Sequence, residues 1–336
     1  MTALRELGER EALERLRALC APGEGVAVGP GDDAAVLVPS AGHDLVATTD
    51  AFVAGIHWDG AWMSPAQIGA RAAAANLSDI AAMAAQPRWA LVGYGLGEEV
   101  EWEWLEACQR GLVATLGESG AAVVGGNLTR VNGDPWISLA LLGEAMTGAS
   151  WRRTGAVSGD VLAVTGVPGR AGAATRLIRA RGNVVRQYPR LLECWRSPEP
   201  RVSVARALWR VGAVRAAIDI SDGLAADLFN LCRASGVGAT IEEAQLPQDM
   251  ELERAARELA VEPMTLAFGP SDDYELLLAI DPERWPHAAE AAQMVGCPLT
   301  RIGTVKPQAE GITFREVIGV RRPLSAAGWD HFASGR

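Results

Sequence analysis

Two successive sets of short apolar segments and amphipathic helices most strongly constrain the fold of this 336-residue chain. In the first set, apolar side chains recur at helical spacing in residues 3–20 and 99–118. Residues 88–96, 121–126 and 136–142 are apolar runs of strand length. The alternation predicts one layered domain, with at least two helices packed against one sheet.

An alanine-rich helix is predicted inside this first set. Ser64 suits the N-cap of a helix, and Pro65 suits its first turn. The helical pattern runs through the alanines of residues 71–85 and ends before Pro87. Residues 43–52, which precede it, contain an apolar stretch that predicts a strand.

The second set begins near Trp151. Apolar runs predict strands at residues 161–166, 216–220, 239–244, 275–280 and 300–305, and helical spacing predicts helices at 170–181, at 202–211 and after Asp222. Gly148, Gly155 and Gly159 break the periodicity between the two sets. We therefore expect an α/β (α+β) protein of two domains, residues 1–148 and 149–336, joined without a long linker.

Composition excludes several classes of protein. The formal net charge of −10 argues against a protein that coats nucleic acid or binds an anionic membrane. No run of 18 apolar residues is present, and the N-terminal residues lack the apolar core of a signal peptide, so a cytoplasmic protein is expected. The cysteines are scattered without a CxxC pair, which indicates reduced thiols: Cys20, Cys108, Cys194, Cys232 and Cys297.

Clusters of aspartates at predicted strand ends and helix starts carry the functional signal. The clusters are GPGDDAA (29–35), TTD (48–50), NLSD (76–79) and DISDG (219–223), and two related segments are GGNLTR (125–130) and GPSDDYEL (269–276). Adjacent carboxylates such as Asp32 and Asp33 repel each other unless a cation compensates. Mg²⁺ prefers oxygen ligands and is commonly shared between carboxylates and phosphates, so the clusters predict a site for several magnesium ions and a phosphate chain.

Each cluster also has a structural interpretation. A single Gly-Asp-Asp is usually a solvated turn, and Ser221 with Asp222 could simply cap a helix whose free N–H groups would favour an anion. Asp79 favours a functional role even alone, because a buried carboxylate among alanines is costly. His57 could be a half-buried histidine with its hydrogen bonds satisfied, and Trp329 could be a terminal packing anchor.

The chain has one lysine, Lys306, in the sequence TVKPQ. A Walker A loop and a protein kinase both need a lysine in a motif that is absent here. If the protein binds ATP, it must neutralise the phosphates with magnesium and arginine. Phosphoryl transfer permits this, because its catalysis is mostly positioning and charge stabilisation.

Over nearly its whole length, and in the same order, the chain resembles the thiamine-monophosphate kinase family of the aminoimidazole-ribonucleotide-synthetase-like superfamily. The segments that carry the resemblance are GPGDDAAVL, TTDAFVAGIHW, ANLSDIAAMAAQP, RRTGAVSGD, DISDGLAADL, DDYELLL and GWDHF. Any one motif also occurs in other members of the superfamily, whereas the ordered set is specific.

The resemblance implies an N-terminal mixed sheet with helices on one face and a C-terminal α/β domain. The first domain would bind metal and nucleotide and form a homodimer, and the second would complete the ATP and substrate site. The implied activity is ATP-dependent phosphorylation of thiamine monophosphate to thiamine diphosphate, with ADP as the other product. Direct in-line transfer assisted by several Mg²⁺ ions is the implied mechanism.

The resemblance also assigns residues. Magnesium ligands would be Asp32, Asp33, Thr48, Thr49, Asp50, Asp79, Asn127, Asp219 and Asp222. ATP would contact Gly125, Gly126, Asn127, Arg153 and Ser221, and thiamine monophosphate would contact His57, Asp272 and Trp329. The catalytic set would be Asp50, Asp79, Asp219, Asp222 and Arg153.

Two departures from the family pattern keep alternatives open. Asn127 stands where the family usually has an aspartate, and Asp272 stands where it usually has a glutamate. An amide oxygen can still bind Mg²⁺ but brings no charge, and the Asp272 carboxylate is one methylene closer to the backbone. A non-catalytic sensor of thiamine phosphate or nucleotide, or another ATP-dependent enzyme of the superfamily, therefore remains possible. Neither a nucleic acid nor a membrane is expected as a partner.

Overall fold

A computed structural model describes residues 2–326, 328, 329 and 332. The chain divides into two compact units. The first unit comprises Met1–Ile80 with Ala85–Ser150, and the second comprises Ala81–Ala84 with Trp151–Arg336. The first unit contains a four-stranded sheet, which we call the first sheet, and a two-stranded one, and the second unit contains a seven-stranded sheet.

The first unit contains four helices and six strands among its described residues. The helices are α1 (Leu4–Leu7), α2 (Glu9–Ala18), α3 (Pro65–Ala82) and α4 (Trp102–Glu118). The strands are β1 (Val26–Val28), β2 (Val36–Leu37), β3 (His43–Val53), β4 (Gln86–Leu96), β5 (Ala122–Arg130) and β6 (Trp136–Met146). The helix predicted over residues 3–20 is thus two helices, because Gly8 adopts φ +80° between them.

Strands β3, β6, β4 and β5 form a mixed sheet in that order, with only the β4–β5 pair parallel. One face is buried, where Phe52 of β3 lies opposite Ile137 of β6 and Ile80 of α3 packs on Gly143. The other face, which we call the open face, includes Leu45 and Leu91, 51% and 41% exposed. The helices therefore cover one face, as the resemblance implies.

A capping box begins α3. The Gln67 N–H donates to Ser64 Oγ at 3.3 Å, and the Ser64 N–H donates to Gln67 Oε1 at 3.0 Å. This confirms the predicted N-cap at Ser64. Helices α3 and α4 cross in direct backbone contact, because a Cβ on Gly69 would lie 1.9 Å from the Cys108 carbonyl oxygen.

The second unit contains seven α-helices and seven strands among its described residues. The helices are α5 (Arg170–Arg181), α6 (Pro189–Arg196), α7 (Val202–Val211), α8 (Leu224–Ser235), α9 (Met250–Leu259), α10 (Pro263–Ala267) and α11 (Trp285–Met294). The strands are β7 (Val161–Thr165), β8 (Val214–Ile220), β9 (Val237–Glu242), β10 (Glu275–Ile280), β11 (Leu299–Pro307), β12 (Ile312–Arg315) and β13 (Arg321–Pro323).

The seven strands form one sheet in the order β13-β12-β9-β11-β7-β10-β8, antiparallel except for the β12–β9 pair. Every residue of β7 and β10 is buried, so the centre of the sheet is covered on both faces. Helix α8 packs into the core through Leu224, Leu228 and Leu231. The predicted helices at 170–181 and 202–211 are confirmed, whereas α6, α9, α10 and α11 were not predicted.

Two expectations from composition can be compared with the structure. Within the described residues, no helix has the length and apolar character needed to cross a bilayer. All five cysteines carry free thiols, and Cys108, Cys232 and Cys297 are buried.

Candidate functional site

Two carboxylates meet on the helix-covered face of the first sheet. The Thr48 hydroxyl of β3 donates to Asp79 Oδ2 of α3 at 2.5 Å. Asp50 lies two residues further along β3, so its side chain shares a face with that of Thr48. Burial, and then the charge of Asp79, raise the pKa of Asp50 to about 6. A cation between these carboxylates would relieve their repulsion.

Other predicted ligands of the first unit point elsewhere. Thr49 lies between Thr48 and Asp50, so the strand pleat directs its side chain to the open face. Asn127 of β5 pairs with Gly93 and lies on the open face as well. Since β3 and β5 are the two edges of the four-stranded sheet, about 14 Å separates them along the sheet. The sheet therefore does not place Asn127 beside Asp50.

Asp32 and Asp33 occupy an exposed turn. The Asp33 N–H donates to Asp32 Oδ1 at 2.9 Å, and both residues are exposed. This local bond matches the solvated-turn interpretation and leaves the outer carboxylate oxygens available to a ligand.

The two glycines of GGNLTR lie where β5 approaches β4. A Cβ on Gly126 would be 2.1 Å from the Val92 carbonyl oxygen, and one on Gly125 would meet Leu91. Only glycine therefore fits at position 126. The predicted contacts of both glycines with ATP remain predictions.

His57 is half-buried beside the end of β3. Its Nδ1 accepts the Val53 N–H at 3.1 Å, and its ring centroid lies 5.2 Å from that of Phe52. The bond to Nδ1 agrees with the structural alternative for His57, and its predicted contact with thiamine monophosphate remains a prediction. The acceptor role of Nδ1 leaves Nε2 as the protonated nitrogen of a neutral ring.

The turn between β8 and α8 carries three predicted residues of the second unit. Asp219 is buried at the end of β8, and Ser221 and Asp222 follow it. The prediction of Ser221 as the N-cap of the helix is wrong, because α8 begins at Leu224 and its N-cap is Gly223, at φ +114°. The Ser221 and Asp222 N–H groups instead donate to Asp227 Oδ2, each at 3.1 Å.

Asp227 is a site residue that the sequence analysis missed. Its carboxylate accepts hydrogen bonds from the backbone amides that were expected to bind an external anion. Burial raises its pKa to about 6 even though these two amides stabilise the charged form. An acidic residue in the first turn of α8 was the available signal, since such residues interact with helix N-termini.

The segment that contains Asp272 lies next to this turn. Strand β10 pairs with β8, with Leu276 opposite Asp219 and Glu275 opposite Ile220. The Tyr274 N–H donates to the Ile220 carbonyl oxygen at 2.9 Å. The structure thus brings Asp219, Ser221 and Asp222 into the neighbourhood of Asp272.

Trp329 is attached to the same turn. Its N–H donates to the Asp222 carbonyl oxygen at 3.0 Å, and the preceding Gly328 packs on Ala226. The Arg179 guanidinium of α5 lies 5.9 Å from the centroid of the indole ring. Asp330 and His331 of the GWDHF segment lie outside the described residues.

Arg153 lies away from the turn. Its carbonyl oxygen accepts the Ser235 hydroxyl at 2.8 Å, and Ser235 is the last residue of α8. The 12 residues of α8, about 18 Å, therefore lie between the Arg153 backbone and the turn. The predicted role of Arg153 at ATP remains a prediction.

The carboxylate pair of the first unit suits a magnesium ion that is completed by phosphate. In the part of the chain that the structure describes, no group of three or more His, Cys, Asp or Glu side chains could hold a metal by itself. Asp50, Asp79 and Thr48 nevertheless offer three oxygen ligands close together. The raised pKa of Asp50 reflects the burial and the neighbouring negative charge that a cation would offset. Mg²⁺ commonly uses one or two carboxylates together with substrate phosphates, so this donor set fits.

Comparison with known proteins shows to which protein family this chain belongs. Family models described as AIR synthase related protein, N-terminal domain and C-terminal domain, match residues 31–145 and 157–315. The chain is therefore an AIR synthase related protein. Thiamine-monophosphate kinase from Synechococcus elongatus is 35% identical over 88% of this chain and 89% of its own length.

Solved structures agree with this relationship. The crystal structure of thiamine-monophosphate kinase from Stenotrophomonas maltophilia K279a has a TM-score of 0.81 and 32% identity, and covers 90% of this chain and 95% of that one. A structure of AaThiL complexed with AMPPCP and TMP has a TM-score of 0.75 and 28% identity over 99% of both chains. The chain belongs to the thiamine-monophosphate kinase family.

Proposed function

We propose that this chain transfers the γ-phosphoryl group of ATP to thiamine monophosphate and forms thiamine diphosphate and ADP. The observation that carries the proposal is the similarity to AaThiL complexed with AMPPCP and TMP, which extends over 99% of both chains. The carboxylates of Asp50 in β3, Asp79 in α3, Asp219 in β8 and Asp222 after β8 support it, because each offers oxygen ligands suited to a phosphate–magnesium complex.

The chemistry needs no dedicated general base. A phosphate monoester loses its second proton near pH 6, so the substrate phosphate oxygen is largely ionised at neutral pH. That oxygen attacks the γ-phosphorus while the bond from the γ-phosphorus to the β,γ-bridging oxygen breaks, and ADP leaves with those electrons. The protein then has to position the two phosphate chains and offset their charge.

The family resemblance assigns these tasks to particular residues. One magnesium ion would be held by Asp50, Asp79 and Thr48. Further ions would be held by the other predicted ligands, of which Thr49 and Asn127 lie on the open face: Asp32, Asp33, Thr49, Asn127, Asp219 and Asp222. When bound, Mg²⁺ would supply positive charge to the phosphate oxygens. Gly125, Gly126, Ser221 and Arg153 would contact ATP, and His57, Asp272 and Trp329 would contact thiamine monophosphate.

Substrate-dependent release of ADP tests the proposal. The purified chain is incubated with ATP, Mg²⁺ and thiamine monophosphate, and ADP is followed by a coupled assay. We expect steady turnover that requires thiamine monophosphate, and none with precursors of aminoimidazole ribonucleotide. Binding of both ligands without ADP release would instead support the sensor, which Asn127 and Asp272 favour. Turnover only with the aminoimidazole precursors would support another activity of the superfamily.

We also propose that the chain forms a homodimer through the open face of the first sheet. Leu45 and Leu91 are exposed on this face, and the strand pleat places Ala47, Thr49 and Ala140 between them. An exposed apolar sheet face of this kind is a common site of protein association.

A cytoplasmic location is proposed as well, supported by the five free thiols.

A charge on the open face tests the dimer. We expect light scattering to give twice the chain mass for the wild type and a shift towards the single-chain mass for Leu91→Arg. Met294→Arg is the matched control, because Met294 is an exposed apolar residue of α11 in the other unit, 82% exposed. A monomeric wild type would contradict the dimer.

A further inference from the structure

Asp272 is the one residue between positions 271 and 280 that is not buried. The residues on both sides of it are held by side-chain and backbone contacts that reach distant parts of the second unit. We call Ser271, Asp273, Tyr274 and Glu275 the loop lock. Their contacts hold the chain on both sides of Asp272.

Asp273 connects the loop lock to the start of α5. Its carboxylate accepts the Gly169 N–H at 2.6 Å and the Ala171 N–H at 2.9 Å, and the residue is 8% exposed. The Ser271 hydroxyl accepts the Gly172 N–H at 2.8 Å. The N-cap residue of α5 is Gly169, which has no side chain to accept these N–H groups. The loop accepts them instead, from about 100 residues away in sequence.

Glu275 anchors the other end. Arg201 donates to both of its carboxylate oxygens, each at 2.6 Å, and the Thr165 hydroxyl donates to Oε2 at 2.6 Å. The same Thr165 oxygen accepts the Leu276 N–H at 2.8 Å. A bidentate arginine–carboxylate pair has a fixed geometry, so Glu275 cannot rotate without breaking several bonds.

Tyr274 makes the turn between these anchors. Its φ is +55°, a left-handed conformation that costs a non-glycine residue about 1–2 kcal/mol. The Tyr274 side chain is buried and its N–H donates to the Ile220 carbonyl oxygen, so the surrounding contacts impose this conformation. The left-handed backbone at Tyr274 turns the chain. Asp272 is then partly exposed, whereas Ser271, Asp273 and Glu275 are buried.

We propose that the loop lock positions the Asp272 carboxylate for thiamine monophosphate, with Asp273 as the main positioning residue. The inference rests on the proposed function, because it assumes the predicted contact of Asp272 with that substrate. It assigns to Asp273, Ser271 and the Arg201–Glu275 pair a role in substrate affinity in addition to their role in the fold.

The test compares Michaelis constants. Asp273→Asn is isosteric and loses one acceptor, and we expect it to raise the KM for thiamine monophosphate about tenfold, the effect of losing a charged hydrogen bond. The KM for ATP should change less than about twofold. Ser271→Ala is the milder variant if Asp273→Asn folds poorly, and we expect it to raise the same KM about threefold. Asp281→Asn is the matched control, since Asp281 pairs with Arg215 beyond the opposite end of β10.

A double variant separates positioning from general destabilisation. In an Asp272→Ala background, Asp273→Asn should give no further rise in the KM for thiamine monophosphate. A lower kcat at unchanged KM, or a rise that persists in that background, would overturn the positioning role. Binding of thiamine monophosphate by the wild type is measured by calorimetry. If the wild type bound none, the proposed function and the loop lock would both fail, whereas unchanged affinity in Asp273→Asn with an active wild type would overturn the loop lock alone.

Discussion

Trp329 has a cation near its indole face before any substrate is present. Arg179 lies in the last turn of α5, is exposed, and has its guanidinium 5.9 Å from the indole centroid. Thiamine monophosphate carries a cationic ring that would use the same kind of interaction. If Trp329 contacts thiamine monophosphate as proposed, Arg179 would compete with the substrate for the indole.

Removing this competitor should improve substrate binding. An exposed cation–π contact contributes about 0.5–1 kcal/mol, so Arg179→Met should lower the KM for thiamine monophosphate about two- to fivefold. Arg210→Met, at an exposed position in the last turn of α7, is the matched control and should leave the KM unchanged. A higher KM in Arg179→Met would show that Arg179 assists binding instead.

Substitution of Asp219 tests whether its carboxylate is a magnesium ligand. Asp219→Asn keeps the shape of a side chain that is 3% exposed and removes its charge. We expect kcat to fall at least about 100-fold, with the thermal unfolding temperature nearly unchanged. Near-native kcat at saturating Mg²⁺ would show that Asp219 is not a ligand.

Several residues of the candidate site could be predicted and others could not. The sequence placed Asp219, Ser221, Asp222 and Asp272 at element ends, where the structure has them. Asp227 and Asp273 were missed because their partners are backbone amides, and amide positions are set by the folded chain. The adjacent carboxylates of Asp272 and Asp273 were a usable signal, since like charges are kept together only when something compensates them.

At the scale of elements, the contact between α3 and α4 depends on two glycines. A Cβ on Gly111 would lie 2.0 Å from the Ala66 carbonyl oxygen, in the same crossing as Gly69. The helical periodicity predicted both helices, but it could not indicate that their backbones touch. From the sequence alone, such glycines only lower the expected helix propensity, and their role in packing is evident once the neighbouring helix is placed.

The crossing gives a matched pair of substitutions. Gly69→Ala should destabilise the first unit by about 3 kcal/mol, because backbone atoms must move apart. Gly117→Ala in α4 meets nothing within 4 Å and should stabilise by up to about 1 kcal/mol. Urea unfolding of both variants checks this, and equal effects would contradict the direct backbone contact.

Asp273 joins two elements and should make stability depend on pH. Burial raises its pKa to about 6, against an ordinary value near 4. Because the folded-state pKa is the higher one, the stabilising contribution is full below pH about 4 and is lost as the pH rises through 6. On the order of 2–3 kcal/mol should be lost over this interval.

Urea unfolding of wild type and Asp273→Asn across this pH range tests the linkage. The variant cannot ionise, so its stability should fall less than that of the wild type as the pH rises. Asp281 has a pKa lowered by Arg215, so its contribution to stability changes only below pH about 4, and Asp281→Asn should keep the wild-type slope between about pH 4 and pH 6. Identical slopes for wild type and Asp273→Asn would contradict the raised pKa.

At the scale of the whole molecule, the sequence predicted two sets of elements but not their arrangement. The structure has two compact units, the second of which takes in Ala81–Ala84 as well as the chain from Trp151, and the domain bounds 1–148 and 149–336 stay a prediction. Strand order was not predictable, because the period of a strand shows which residues are buried and not which strand lies beside it. The pairing of β10 with both β7 and β8 brings Asp219 next to the Asp272 segment, and it joins residues more than 50 positions apart.

The product of the reaction tests the central claim most directly. Phosphorus NMR follows the wild type with ATP, Mg²⁺ and thiamine monophosphate, and direct transfer predicts that the thiamine diphosphate signals grow in equal amount to those of ADP. With a chiral, isotopically labelled γ-phosphoryl group, a single in-line transfer predicts inverted configuration at phosphorus. ADP accompanied by inorganic phosphate without thiamine diphosphate, or retained configuration in the product, would contradict the account.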